Sequence, residues 1–327
     1  MRFKLIKIVA VLAILYLTLT GVCFAQIDSE KETSVVVISD LNDAYGSTNY
    51  GKDLKKALEF IRLARPDLVL CAGDMVAGQH KKLSEHQLLA MWQSFEKNIL
   101  TELNRLNIPF AFTLGNHDGA NSPNFRNERK IAVDFWNNNL PNLRFIDSNQ
   151  FPHYYSFMLN GVFYVSIDAS TSRIESTQIE WLKNQLGSER SKSAKIRIVF
   201  GHLPLYAISQ GRNTPGNVIG NADHLFNLLN ENSVNLYISG HHHAFYISQK
   251  NELLMLSAGA LGGGPKKLIG SENPPVKSLS VLKLTPNSRT IKFFNYDVGK
   301  GMKPIKASEL PTGISGFNGV SKLYRFD

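Results

Sequence analysis

The chain has 327 residues, 43% of them hydrophobic and 19% charged, a globular balance that excludes a disordered or fibrous protein. Its formal charge of +9 comes from scattered basic residues, which implies a mild attraction for anions and excludes a dedicated nucleic-acid surface. A chain of this length can bury a substantial core, as one large α/β domain or two smaller ones.

The N-terminus reads as an address. Arg2, Lys4 and Lys7 precede an apolar run from Ile8 to Leu19, and Cys23-Phe24-Ala25 offers a cleavage site after Ala25. The run is short for a bilayer span, which takes about 20 residues. Residues 1–25 are therefore expected to be a signal peptide of an exported protein, periplasmic or secreted, with no stable span after cleavage. Anchoring by an uncleaved segment is the alternative. Acylation at Cys23 ranks lower, because Val22 is bulky for the residue before a lipidated cysteine. Cleavage would remove three positive charges, so +9 falls to +6, and would leave Cys71 without a partner for an internal disulfide. Cys71 ends the apolar run Leu68–Cys71 and reads as a buried small hydrophobe.

After a polar linker at residues 26–33, apolar runs alternate with amphipathic stretches through a domain expected to fill residues 34–327. Val35–Ile38 is β-branched and bounded by polar residues, which predicts a buried strand. Asp53–Ala64 places Leu54, Leu58 and Ile61 on one helical face, with Pro66 just past its end. Asp67–Cys71 is the next predicted strand, Glu85–Leu106 a longer helix, Phe110–Leu114 a third strand and Glu128–Asn138 a helix. Strands follow at Leu143–Ile146, Tyr154–Leu159 and Val162–Ile167, then a helix at Ser176–Leu186. Strands at Ile196–Phe200 and Leu236–Ile238 enclose a helix at Ala222–Asn230. Short strands then dominate, at Ala244–Ser248, Leu253–Leu256, Ser278–Leu284 and Ile291–Tyr296. This order predicts two packed sheets covered by helices. The tail, residues 299–327, is rich in Gly and Pro and is assigned no structure.

Five predicted strands run straight into residues of metal-ligand type. They lead to Asp40-Leu41-Asn42-Asp43, to Gly73-Asp74, to Gly115-Asn116-His117-Asp118, to Gly201-His202 and to Gly240-His241-His242-His243. In open α/β sheets, sites form outside the carboxyl ends of strands, so the five ends are expected to converge. A Gly before the polar residue in four of them permits a tight turn and close backbone approach.

In order and spacing these segments resemble the calcineurin-like metallophosphoesterase family, with its D-x-H, G-D, G-N-H-D/E, G-H and G-H-x-H motifs. The resemblance runs from Asp40 to His243. It implies a four-layer α/β/β/α sandwich of two mixed sheets flanked by helices, and hydrolysis of a phosphomonoester or phosphodiester. One divalent metal would sit on Asp40, Asn42, Asp74 and His243. A second would sit on Asp74, Asn116, His202 and His241, with Asp74 bridging. His117 would stand beside the scissile phosphate as general acid, oriented by Asp118, a role worth roughly 10²–10⁴-fold. Mixed N/O donors suit Mn, Fe, Zn or Co better than an ion that prefers oxygen alone. Two such ions about 3.5–4 Å apart generate a hydroxide and stabilise the attacking and leaving oxygens. The rival class is a metal- or phosphate-binding protein of the same fold that has lost turnover. His117 and Asp118 argue against it, because binding alone gives no reason for a proton donor.

Asn42 departs from the pattern, standing where the family has His. Three readings stay open: Asn42 as a weaker direct ligand, a water in its place, or Asp43 as the ligand. In an extended segment His241 and His243 point one way and His242 the other, which keeps His242 out of the ligand set. Asn116, Arg173 (near Asp168) and Lys266 or Lys267 are candidate contacts to substrate phosphate. The plainer reading of Arg173 is a solvated surface charge. Gly259–Gly264, before Lys266, reads as a flexible loop. His80, His86, His153 and His224 match no motif. Substrate choice falls to the loops 44–51 and 211–220.

Overall fold

The computed structural model describes residues 32–326; the signal-peptide reading of residues 1–25 and the question of Cys23 lie outside the described residues. In chain order the strands are β1 (Thr33–Ile38), β2 (Leu68–Cys71), β3 (Phe110–Phe112), β4 (Phe145–Gln150), β5 (Tyr154–Leu159), β6 (Val162–Ser166), β7 (Ile196–Phe200), β8 (Leu236–Ser239), β9 (Tyr246–Lys250), β10 (Leu253–Ser257), β11 (Ser278–Thr285), β12 (Thr290–Asp297), β13 (Lys303–Pro304), β14 (Gly313–Gly316) and β15 (Gly319–Leu323). They form a six-stranded sheet, β13-β12-β11-β1-β2-β3, and a nine-stranded sheet, β14-β15-β9-β10-β8-β7-β6-β5-β4. Parallel pairing joins β1, β2 and β3 in the first sheet and β6, β7, β8 and β10 in the second. Their outer neighbours are antiparallel, so both sheets are mixed.

The apolar run of β1 shows why the layers stack as they do. Val35 and Val37 share one buried cluster with Tyr155, Phe157, Ile198, Phe200 and Ile238, between the two sheets. Val36 and Ile38, on the opposite face, pack with Leu54, Ala57 and Ile61 of the helix Lys52–Ala64 and with Trp92, Phe95 and Trp136. Both faces are covered, so the run has no polar alternation. On the far side Phe163, Val165 and Val199 meet Leu182 and Leu186 of the helix Ser176–Gly187 and Leu225 and Leu229 of the helix Ala222–Glu231. The result is the expected helix, sheet, sheet, helix sandwich. Each such side chain contributes roughly 1.5–3 kcal/mol on leaving water. These three apolar interfaces, rather than the loops at the strand ends, hold the fold. Cys71 is free and buried among them, as expected.

The structure corrects the sequence reading at several elements, among them β9, which runs Tyr246–Lys250 rather than Ala244–Ser248. The tail is structured: β13 extends the first sheet, at an edge where the missing N–H of Pro304 is tolerated. β14 and β15 form a hairpin in which Gly316 pairs with Gly319 across Phe317-Asn318, and β15 joins β9. Asn318 takes φ 72°, so the tail's glycines and this Asn mark a tight turn rather than missing structure. The helix expected at Glu85–Leu106 passes through a π-helical turn (Glu96–Leu100) between Glu85–Phe95 and Thr101–Arg105. The strand expected at Leu143–Ile146 starts at Phe145 and runs to Gln150. Among the described residues no helix is long and apolar enough to cross a membrane.

Candidate metal centre

The five strand ends do converge, and the backbone there is not relaxed. Asp40, Asp74, His241 and His243 have φ of 50°, 56°, 62° and 50°, in the left-handed region that non-Gly residues rarely occupy. Each such residue costs on the order of 1–3 kcal/mol and persists only where its surroundings over-determine it. Here the loops are laced to each other. Asp40 N–H donates to Gly73 O (3.0 Å), Leu41 N–H to Asp74 O (2.8 Å), Gly201 N–H to Ile238 O (3.0 Å) and Gly240 N–H to His202 O (2.9 Å). A Cβ on Gly115 would lie 2.1 Å from Asp74 Oδ1, which is why this turn requires glycine.

Two groups of side chains emerge, and they share one residue. Asp74, His202 and His241 present ligand atoms within 4.8 Å of one another, and so do Asp40, Asp74 and His243. His202 Nε2 lies 3.2 Å from Asp74 Oδ2 and 2.9 Å from Asn116 Oδ1; His243 Nε2 lies 3.2 Å from Asp40 Oδ1. His241 Nδ1 faces His202 Nε2 at 3.3 Å. Asp74 Oδ2 and His243 Nε2 are buried without a hydrogen-bond partner. Buried polar atoms are normally paired, so this inward convergence of lone pairs fits a divalent cation.

The second layer sets the ring orientations. His202 Nδ1–H donates to Ala72 O (2.8 Å) and His243 Nδ1–H to Gly264 O (3.0 Å), which leaves each Nε2 as the inward lone pair. The Asn116 amide donates from Nδ2 to Gln79 Oε1 (2.6 Å), which turns Oδ1 toward His202. Asp40 Oδ2 accepts from Ser39 Oγ (2.6 Å) and from His241 N–H (3.1 Å). Burial disfavours the Asp74 charge, but the neighbouring His202 and His117 hold its carboxyl well below the usual range. Burial also opposes a charge on His202, yet Asp74 lifts its pKa to about 9, so without an ion Nε2 carries a proton that a bound metal would displace. Burial, His202 and Arg212 push the His241 pKa well below its ordinary value.

Asn42 is buried, with its N–H toward Asp74 O (3.3 Å) and its carbonyl accepting from Gly263 N–H (2.9 Å). Asp43 is exposed and is outside both groups. His242 points away, as expected, but for another reason. The segment is bent rather than extended, and the buried ring bridges Ile208 N–H at Nδ1 (3.2 Å) and Asn217 O at Nε2 (3.0 Å). Burial lowers its pKa to about 3, so the ring is neutral.

Asp118 has a different role from the one expected. Its carboxylate accepts from the N–H groups of Asp74 (2.9 Å), Met75 (2.7 Å), Val76 (3.0 Å) and Gly115 (2.8 Å), clamping the loop after β2 to the loop after β3. Burial and the nearby Asp74 raise its pKa to about 7. The ring of His117 is oriented instead by the Gly78 carbonyl, which accepts from Nδ1–H at 2.8 Å and leaves Nε2 3.9 Å from Asp74 Oδ2. Glu128 in turn accepts from the N–H groups of Gln79 (2.6 Å) and His80 (3.2 Å).

The charged contacts also differ. Arg173 is mostly exposed and pairs with Glu175, and Asp168 pairs with Arg129, so neither joins the ligand groups. Lys266 reaches the site through its main chain, its N–H donating to His243 O (2.9 Å), while Lys267 pairs with Glu272 (3.9 Å). The residue that sequence reasoning missed is Arg212, whose Nη1 lies 3.1 and 2.9 Å from the two ring nitrogens of His241. The Gly-rich loop is pinned: Leu261, Gly262 and Gly263 donate N–H groups to the carbonyls of Ser39, Asp40 and Asn42.

Known proteins share the fold. The fold matches a purple acid phosphatase from yellow lupin, Lupinus luteus, at a TM-score of 0.61 and 15% identity, over 83% of this chain. This chain spans about half of that one, 52%. It also matches GAP50, described as the anchor in the inner membrane complex of Plasmodium, at a TM-score of 0.55 and 15% identity over 90% of both chains. At these identities the likeness is one of fold. No curated protein is similar enough in sequence to match. The sequence pattern of the calcineurin-like phosphoesterases matches residues 33–245, which take in every strand end described above. Two shared-carboxylate groups at the ends of parallel strands, in a four-layer sandwich carrying that pattern, place the chain in the calcineurin-like phosphoesterase family.

Proposed function

We propose that the protein is an exported, metal-dependent hydrolase of phosphoric esters, working on a phosphomonoester or phosphodiester. The observation that carries this reading is the sharing of Asp74 between the Asp74–His202–His241 and Asp40–Asp74–His243 groups. One ion would be held by Asp40, Asn42, Asp74 and His243, the other by Asp74, Asn116, His202 and His241. Two bound transition-metal ions would supply a nucleophile at neutral pH and draw charge from the phosphoryl oxygens.

The chain's own groups do the rest. His117 is fixed at Nδ1 by Gly78 O, so its Nε2 faces the site and, when the ring carries both protons, is the atom that hands one to the leaving oxygen. Arg212, rather than Arg173 or Lys266, is the cation next to the ligands, and its remaining N–H groups are suited to a phosphate oxygen. Asn42 acts as a direct ligand through its amide oxygen. In that role Asn42→Ala lowers the affinity for one of two ions about tenfold; unchanged metal binding in a titration with Mn²⁺ removes it from the set.

Metal analysis of the purified chain is expected to find two transition-metal ions per protein. Hydrolysis of para-nitrophenyl phosphate or its bis-ester with added Mn²⁺ separates monoesterase from diesterase. A folded, metal-loaded sample inert toward both esters, and toward other phosphate esters tried after them, defeats the reading. Export rests on the basic, apolar and small-residue pattern of residues 1–25. Mass spectrometry of the protein outside the cytoplasm should find a chain starting at Gln26; an intact Met1 start there counts against cleavage.

A further inference from the structure

The loop 44–51 places an aromatic ring beside the proton donor. Tyr45 is 58% exposed, unusually open for a large aromatic side chain, yet its ring stacks on His117 with centroids 5.4 Å apart and planes 27° apart. Its ring also lies 5.4 Å from that of His80. The loop that carries it is fastened down: Gly46 N–H donates to Ala77 O (2.8 Å) and Ser47 N–H to Ala44 O (2.9 Å). Tyr45 therefore holds a fixed aromatic surface at the mouth of the site while most of it meets solvent.

Resting on the hydrolase reading above, we propose that Tyr45 is a stacking platform for a planar aromatic group carried directly on the leaving oxygen. The substrate class is then an aryl phosphate ester. The argument is one of adjacency. The group that receives a proton from His117 is the leaving oxygen, and the ring that lies against His117 is Tyr45. A flat substituent on that oxygen comes within reach of the Tyr45 ring, whereas a base held off by a sugar lies further out. Aromatic pairs of this kind add enough to change an affinity by about two- to tenfold. The phosphoryl group, which the metal-loaded cluster and Arg212 would hold, contributes equally for aryl and alkyl esters, so the platform acts on selectivity.

The test uses the full mature chain loaded with Mn²⁺, titrated calorimetrically with phenylphosphonate and methylphosphonate, neither of which is hydrolysed. The wild type is expected to bind the phenyl compound about three- to tenfold tighter. Tyr45→Ala should erase that preference while leaving methylphosphonate within about twofold, and Tyr45→Phe should keep it. Equal wild-type affinities, binding of neither compound, or a preference that survives Tyr45→Ala overturns the proposal. A wild type that prefers the phenyl compound but hydrolyses no ester overturns the hydrolase reading and with it the substrate class, while the stacking contact at Tyr45 stands.

Discussion

The two halves of the ligand cluster are supported in different ways. Around Asp40 and His243 the support is mostly main chain: Gly262 and Gly263 N–H groups on the carbonyls of Asp40 and Asn42, and the Gly264 carbonyl on His243 Nδ1, with the Ser39 hydroxyl added on Asp40 Oδ2. Around Asn116 and His241 it comes mostly from side chains, with Gln79 on the Asn116 amide and Arg212 and Asn217 on the His241 ring, while His202 between them rests on the Ala72 carbonyl. Main-chain support is indifferent to what side chains the loop carries but fails when an extra atom intrudes. Side-chain support can be deleted one contact at a time. The first half should therefore break sterically and as a unit, the second in graded steps.

The largest effect should come from removing what the halves share. Asp74→Asn takes the charge from both groups at once, and phosphoesterase activity should fall at least about a thousandfold, or about 4 kcal/mol. Elemental analysis should show both ions depleted; loss of one ion alone would mean the halves are independent. Gly262→Ala attacks the first half, since its Cβ would meet Asn42 O at 1.8 Å. The expected cost is about 1–3 kcal/mol in a thermal or denaturant melt, with weaker binding of one ion. A melt indistinguishable from wild type would show that the loop yields easily. Gln79→Leu is the mildest probe. It frees the Asn116 amide to rotate, and metal affinity should fall by about tenfold, the low end for an outer-layer contact, with the melting curve unchanged. A fall in stability matching that of Gly262→Ala would erase the contrast between the halves.

Much of the site was legible because metal-type side chains at strand ends leave a local trace. Asp40, Asp74, His202, His241 and His243 each follow a buried strand, and each was expected in the cluster before any distance was known. The supporting contacts leave no such trace. Gly78 orients His117 from 39 positions away, and a carbonyl has no residue type by which to be recognised. Arg212 and Arg173 are alike as letters; only the folding of the loop 211–220 over His241 separates them. His242 was rightly excluded from a wrong premise, since alternation along an extended segment does not apply where His241 and His243 are left-handed. The tail departs from its expected lack of structure for a related reason. Glycines that look like a lack of structure become a hairpin turn once β9 offers β15 an edge to pair with.

By itself the amino-acid order determined the layers, the succession of strands and helices, and which side chains could bind metal. Those depend on periodicity and on residue chemistry at short range. Tertiary structure alone decided which ring faces which oxygen, that Asp118 clamps loops rather than steering His117, and that Tyr45 and Arg212 flank the centre. Such choices are made by hydrogen bonds and ring contacts between loops distant in sequence, whose geometry exists only after the two sheets have packed.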